Sequence, residues 1–137
     1  MKILLAYVLA TIISLTLTTL NYAHAGEAKT LIVKFQFKSD HYCKYMSPKI
    51  MLGNLPPETR FLRVTMTDLS NGNDHGGGTI PYSGSNIILE DALNDHPGGT
   101  FKGPCPPTTH FYEITVKALA QDRDTVLGEG SAVREFN

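Results

Sequence analysis

The chain has 137 residues, with 12 Lys and Arg against 13 Asp and Glu, 12 Gly, 8 Pro and only two Cys. Its length sets one domain as the expected count. The near-neutral charge, without a basic stripe or an acidic tail, argues against nucleic acid as a partner.

The first stretch reads as a leader. Lys2 is followed by an apolar run from Ile3 to Leu20 and then by Ala23-His24-Ala25, a small-residue cleavage site ahead of Gly26. The run is almost long enough for a membrane anchor, but five Ser or Thr residues between Thr11 and Thr19 weaken that alternative. Residues 1–25 are expected to be a signal peptide and 26–137 the folded domain. The mature protein would be periplasmic or secreted, with no stable membrane insertion. In such an oxidising compartment Cys43 and Cys105 could form a disulfide; the alternative is two buried thiols.

In the mature chain, Leu31, Val33, Phe35 and Phe37 alternate with more polar neighbours, which predicts a first strand from Thr30 to Phe37. Lys38 to Met46 has no clear period and reads as loop or short edge structure, with His41 as a solvated residue. A segment beginning at Ser47-Pro48 ends at the turn Asn54-Leu55-Pro56-Pro57. Phe61 to Asp68 is a strong second strand, with Leu62, Val64, Met66 and Asp68 on one face. Ser70 to Gly78 is too rich in glycine to read as regular structure. Thr79 to Tyr82 and Asn86 to Leu89 follow as two short strands, then a turn near Glu90 to Leu93 and a loop through Asn94 to Gly99, with His96 solvated.

Gly103-Pro104-Cys105-Pro106-Pro107 is a turn preset by three prolines, none of which can donate a backbone hydrogen bond. It leads into a strand from His110 to Leu119, where His110, Tyr112, Ile114 and Val116 share a face. A turn at Gln121 to Asp124 precedes a last strand, Thr125 to Phe136, loosened by Gly128 and Gly130. This pattern predicts an all-β domain, an antiparallel β-sandwich. If the strands at 61–68 and 110–119 are antiparallel neighbours, Asp68 comes close to His110; a one-residue register slip would undo this.

These residues resemble the phosphatidylethanolamine-binding protein family, also called the Raf kinase inhibitor protein family, and its short bacterial YbhB/YbcL-like branch. The resemblance spans Ser47 to Leu119. It rests on Ser47-Pro48, Asn54-Leu55-Pro56, Thr59, Val64-Thr65-Met66-Thr67-Asp68, His75 and, most specifically, Gly103-Pro104-Cys105-Pro106-Pro107 with His110, Tyr112 and Val116-Lys117-Ala118-Leu119. It implies a β-sandwich without a C-terminal helix, and a pocket for a phosphate-bearing headgroup walled by Asp68, His75, Gly103, Pro104, His110 and Tyr112. The sequence departs from the family where Asp68 is followed by Leu69-Ser70 rather than by a second acid, and where His75 is followed by Gly76 rather than Trp.

A phosphate wants positive charge and donors at short range, which histidines supply near neutral pH. Asp68 would orient one of them and stabilise its charge. The plainer alternatives are a structural Asp68–His110 hydrogen bond, Tyr112 as a core residue, and His75 in a flexible surface loop. No histidine pair has zinc-ligand spacing, no Gly-x-Ser-x-Gly elbow is present, and no nucleophile accompanies the Asp–His pair. The expectation is therefore a non-catalytic binding protein, needing no metal and no cofactor, for a small anionic or phosphorylated ligand. The rival is a protein-interaction module, such as a kinase or protease inhibitor, with a vestigial pocket and a protein partner.

Overall fold

In the computed structural model, the structure describes residues 26–137; the expected leader at 1–25 lies outside the described residues. Among the described residues, eight strands are arranged as two sheets. They are β1 (Lys29–Thr30), β2 (Ile32–Phe35), β3 (Ile50–Gly53), β4 (Phe61–Asp68), β5 (Asp74–Pro81), β6 (Ile87–Ile88), β7 (His110–Leu119) and β8 (Val126–Phe136). The larger sheet has the order β1-β8-β7-β4-β5 and the smaller one β2-β3-β6. All pairings are antiparallel except that of the two-residue β1 with β8. The architecture is the expected β-sandwich.

Alternation explains which side of each strand is buried. Leu62, Val64 and Met66 on β4 and Ile114, Val116 and Ala118 on β7 face inward, against Val33 and Phe35 on β2, Ile50 and Leu52 on β3, and Ile88 on β6. Burial of such side chains contributes about 1.5–3 kcal/mol each. The chain changes sheet at Leu31, whose N–H donates to Glu129 O at 2.9 Å. Gly130 stands where a side chain would collide with the Leu31 backbone. The glycines of β8 therefore admit β1 rather than loosen the strand.

The segment at 70–78 departs from expectation. It contains a tight turn, but Asp74 to Gly78 begin β5, paired with β4 from Thr67 opposite Asp74 to Phe61 opposite Pro81, with an irregularity between Thr65 and Thr67. A Cβ at Gly77 would collide with the Val64 carbonyl, and one at Gly76, where φ is +72°, with the Thr100 carbonyl. Glycine is present here because neighbouring backbones come close, not because the segment is irregular. The segment after Ser47 contains β3, and His41, expected to be solvated, is fully buried at the end of a 3-10 turn, Ser39–His41.

Gly77→Ala is expected to cost about 3 kcal/mol, since the colliding atom is backbone and cannot rotate away. Gly72→Ala has open space around it, with φ at +78° as its only difficulty, and should cost about 1 kcal/mol. Urea denaturation of the two variants checks the difference; equal losses would contradict the close approach of β4 and β5.

Candidate functional site

Asp68 ends the inward row of β4, and His110 begins that of β7. The register sets Asp68 opposite Tyr112, so His110, two residues earlier on the same face, lies diagonal to the carboxylate. His110 Nδ1 is 2.6 Å from Asp68 Oδ2. Since a carboxylate can only accept, Nδ1 carries the hydrogen. The second oxygen, Oδ1, accepts the Ser70 N–H at 2.8 Å, a local turn that the sequence Asp68-Leu69-Ser70 signals.

Asp68 is 2% exposed. Burial alone would raise its pKa, but the hydrogen bonds from His110 and the Ser70 N–H, together with the charges of His110 and His75, outweigh it and hold the carboxyl below its ordinary 3.8. Tyr112, also buried, is pushed up to about 12 by burial and then by the Asp68 charge, while the Cys105 backbone pulls the other way. It stays a neutral phenol at physiological pH.

His75 joins this group from β5. Its Nδ1 is 3.0 Å from the Lys102 carbonyl oxygen, so this nitrogen too carries the hydrogen. Its ring stands edge-on to Tyr112, with centroids 5.2 Å apart and an interplanar angle of 86°. The His110 ring lies 6.3 Å from Tyr112 on centroids. Two imidazoles thus flank one phenol. Each is fixed through Nδ1, and neither Nε2 has a hydrogen-bond partner among the described residues.

The proline loop crosses the chain at Cys43 and Lys44. The Cys43 N–H donates to Pro104 O at 2.8 Å, the Gly103 N–H donates to Lys44 O at 2.7 Å, and Cys43 and Cys105 form a disulfide. A Cβ at Gly103 would meet the carbonyls of His41 and Lys44, so only glycine permits this crossing. The Gly103 N–H is already used and is not available to a ligand.

His75, Gly103 and Cys105, with Lys44, Tyr45 and Lys102, line a cavity of 210 Å³. Asp68, His110 and Tyr112 are not in its wall; His75 links the two through its contact with Tyr112. Of the six expected site residues, Asp68, His75, His110 and Tyr112 are brought together, Gly103 lines the adjoining cavity, and Pro104 acts through its carbonyl on Cys43. Lys44, Tyr45 and Lys102 are the residues the sequence reading missed. Lys102 had a weak signal, as a cation directly before the glycine of the loop. Among the described residues, no three His, Cys, Asp or Glu side chains gather closely enough to hold a metal ion.

Two solved structures share this arrangement of strands. E. coli YbcL, described as a new member of the mammalian PEBP family, superposes with a TM-score of 0.59 at 16% identity, over 78% of this chain and 98% of its own. The chain has the phosphatidylethanolamine-binding protein fold. CT736 of Chlamydia trachomatis, named as a homolog of phosphatidylethanolamine-binding protein, superposes with a TM-score of 0.58 at 12% identity, over 80% of this chain and 99% of its own. No family model matches the sequence, and no curated protein matches it. Within this phosphatidylethanolamine-binding protein fold, the Asp68–His110 pair closes the larger sheet at the end where the proline loop is pinned.

Asp68→Asn keeps the shape but removes the charge, and should cost about 2 kcal/mol at neutral pH. Because the folded carboxyl titrates below its ordinary value, its contribution is complete above that value and disappears as the pH falls through the lowered one. The stability gap between wild type and Asp68→Asn should therefore narrow on the acid side of 3.8. Urea melts across that range measure it, and a gap that stays constant would contradict the charged pairing.

Proposed function

We propose that this protein is an exported, non-catalytic binding protein for a small anion, of the kind carried by a phosphorylated headgroup. The observation that carries the reading is the pair of imidazoles, His75 and His110, each held at Nδ1 by a protein acceptor with Nε2 unpartnered. An imidazolium donates through both ring nitrogens, so in that form each free Nε2 is a donor to a phosphate oxygen. Lys44 and Lys102 in the wall of the 210 Å³ cavity add positive charge beside His75.

The names of the two neighbours agree with a phosphatidylethanolamine-binding role, and the Cys43–Cys105 disulfide and the leader-type N-terminus support export. A non-catalytic reading is supported by the absence, among the described residues, of a hydroxyl or thiol hydrogen-bonded to His110; Cys105 is bound in the disulfide.

A protein-interaction module is the second reading. Tyr45, which lines the cavity, is 72% exposed, and Leu69 and Phe111, directly after Asp68 and His110, are 50% and 49% exposed. Exposed aromatic and aliphatic groups beside a hydrogen-bonding centre are what a protein partner would bury.

A thermal melt separates the two. Phosphorylethanolamine at about ten times its dissociation constant would add about 1.4 kcal/mol, a rise of about 5 °C for a chain of this size. His110→Ala should abolish the rise while the protein still melts cooperatively. No rise with millimolar phosphorylethanolamine or inorganic phosphate would favour the interaction module.

A further inference from the structure

A larger concavity lies elsewhere. Where the edge of β2 meets β8, a cleft of 450 Å³ is lined by Lys34, Lys38, Lys49, Met51, Glu90 and Arg134, together with the two residues that follow Lys34. That volume falls in the range of small-molecule sites. Four cations and one carboxylate face it in a protein whose net charge is −1.

The carboxylate is already neutralised. Glu90 Oε2 is 2.6 Å from Lys38 Nζ, and Oε1 is 3.2 Å from Nε2 of the fully buried His41. That contact is not aligned as a hydrogen bond, and Nε2 is otherwise unsatisfied. The Lys38 N–H donates to His41 Nδ1 at 2.8 Å, so Nε2 carries the hydrogen and directs positive polarity towards the same wall.

The other three cations have no carboxylate partner among the described residues. Arg134 is held rigidly, with Nε donating to Phe35 O at 3.1 Å and Nη1 to Val133 O at 2.7 Å, and its guanidinium 5.7 Å from the centre of the Phe35 ring. Nη2 has no protein acceptor among the described residues. A pinned guanidinium loses little freedom on meeting an anion.

The outward face of the smaller sheet continues the cleft. Lys34 pairs across the ladder with Met51, and Met51 with Ile87. Met51 is 44% exposed, Ile87 43% and Ile32, two pairs further along the ladder, 47%. Cations at one end and an apolar strip leading from them match a ligand that has a charged head and a hydrocarbon body.

We propose that this cleft is a second binding site, for an amphiphilic anion whose phosphate or carboxylate head meets Lys34, Lys49 and Arg134 and whose apolar body lies on Met51 and Ile87. It is built from side chains separate from those around Asp68 and His110. The ring of Phe37 lies between the two regions, 6.1 Å from His41 and 5.8 Å from Tyr112 on centroids.

Hexyl phosphate and inorganic phosphate, titrated separately into the isotopically labelled protein and followed by amide NMR shifts, test this. Hexyl phosphate should move the amides of Lys34, Met51 and Arg134 to saturation. Inorganic phosphate should bind there about tenfold more weakly, for lack of about two buried methylenes. The double variant Lys34→Gln/Lys49→Gln, altered only at exposed positions, should weaken hexyl phosphate about tenfold, whereas His110→Ala should leave cleft binding unchanged. Equal binding of the two phosphates would overturn the amphiphile, and an affinity unmoved by the double variant would overturn the cleft. Shifts confined to Tyr45, His75 and Gly103 would also overturn the cleft while leaving the imidazole site intact.

Discussion

Every inward side chain near the candidate site is placed by the ladder between β4 and β7, which runs for eight pairs from Phe61 opposite Leu119 to Asp68 opposite Tyr112. Both strands bury one face, with only His110 at the start of β7 partly exposed on it, so the register is strongly specified. A slip of one residue would carry Leu62, Val64 and Met66 into solvent and bring Arg63 and Thr65 into the core. The apolar residues therefore hold the polar ones in place. Asp68 and His110 meet because three apolar layers behind them leave the strands no other alignment.

That meeting would be costly without its partners. An isolated buried carboxylate loses several kcal/mol of hydration, yet Asp68 has two hydrogen bonds, from His110 and from the Ser70 N–H, and two imidazoles close enough to lower its pKa. The same carboxylate keeps the hydrogen of His110 on Nδ1, and the Lys102 carbonyl does so for His75. Both rings are thus oriented by the interior, with the outer nitrogen left for other chemistry. Tyr112, pushed up to about 12, stands between them as a neutral spacer.

How much of this was legible depended on whether a residue's surroundings are local in sequence. β4 and β7 show strict alternation with one inward face, and parity, given antiparallel neighbours, put Asp68 near His110 with Tyr112 on the same face. β5 was hidden because Gly76 and Gly77 answer to the backbones of Thr100 and Val64, contacts that no local pattern announces. β3 was obscured by exposed Met51, an apolar residue facing outward between buried Ile50 and Leu52. His41 looked solvated beside Ser39 and Asp40, whereas a 3-10 turn places it under Phe37 and against Glu90, 49 positions along the chain. His75 was placed in the site only by its resemblance to a family, since its glycine neighbours argued for a loop. Lys44 and Lys102 line the cavity because two loops cross at Gly103, which the sequence shows only as a proline-rich turn with one of two cysteines.

The crossing of those loops also limits what the site can admit. Two backbone hydrogen bonds and the Cys43–Cys105 link pin the proline loop to the segment at Cys43 and Lys44. The link closes a separation of 62 residues, a constraint worth about 4 kcal/mol in the chain-entropy account. A rim fixed in this way does not widen cheaply, and the cavity behind it is 210 Å³, smaller than the sites that enclose drug-sized molecules. A phosphate with a short substituent fits such a space; a ligand with a long body must leave that body outside, across Tyr45. On the proposed anion-binding reading, selectivity at this mouth would rest on the charged head, through donors oriented before binding, so little affinity would be lost in ordering them.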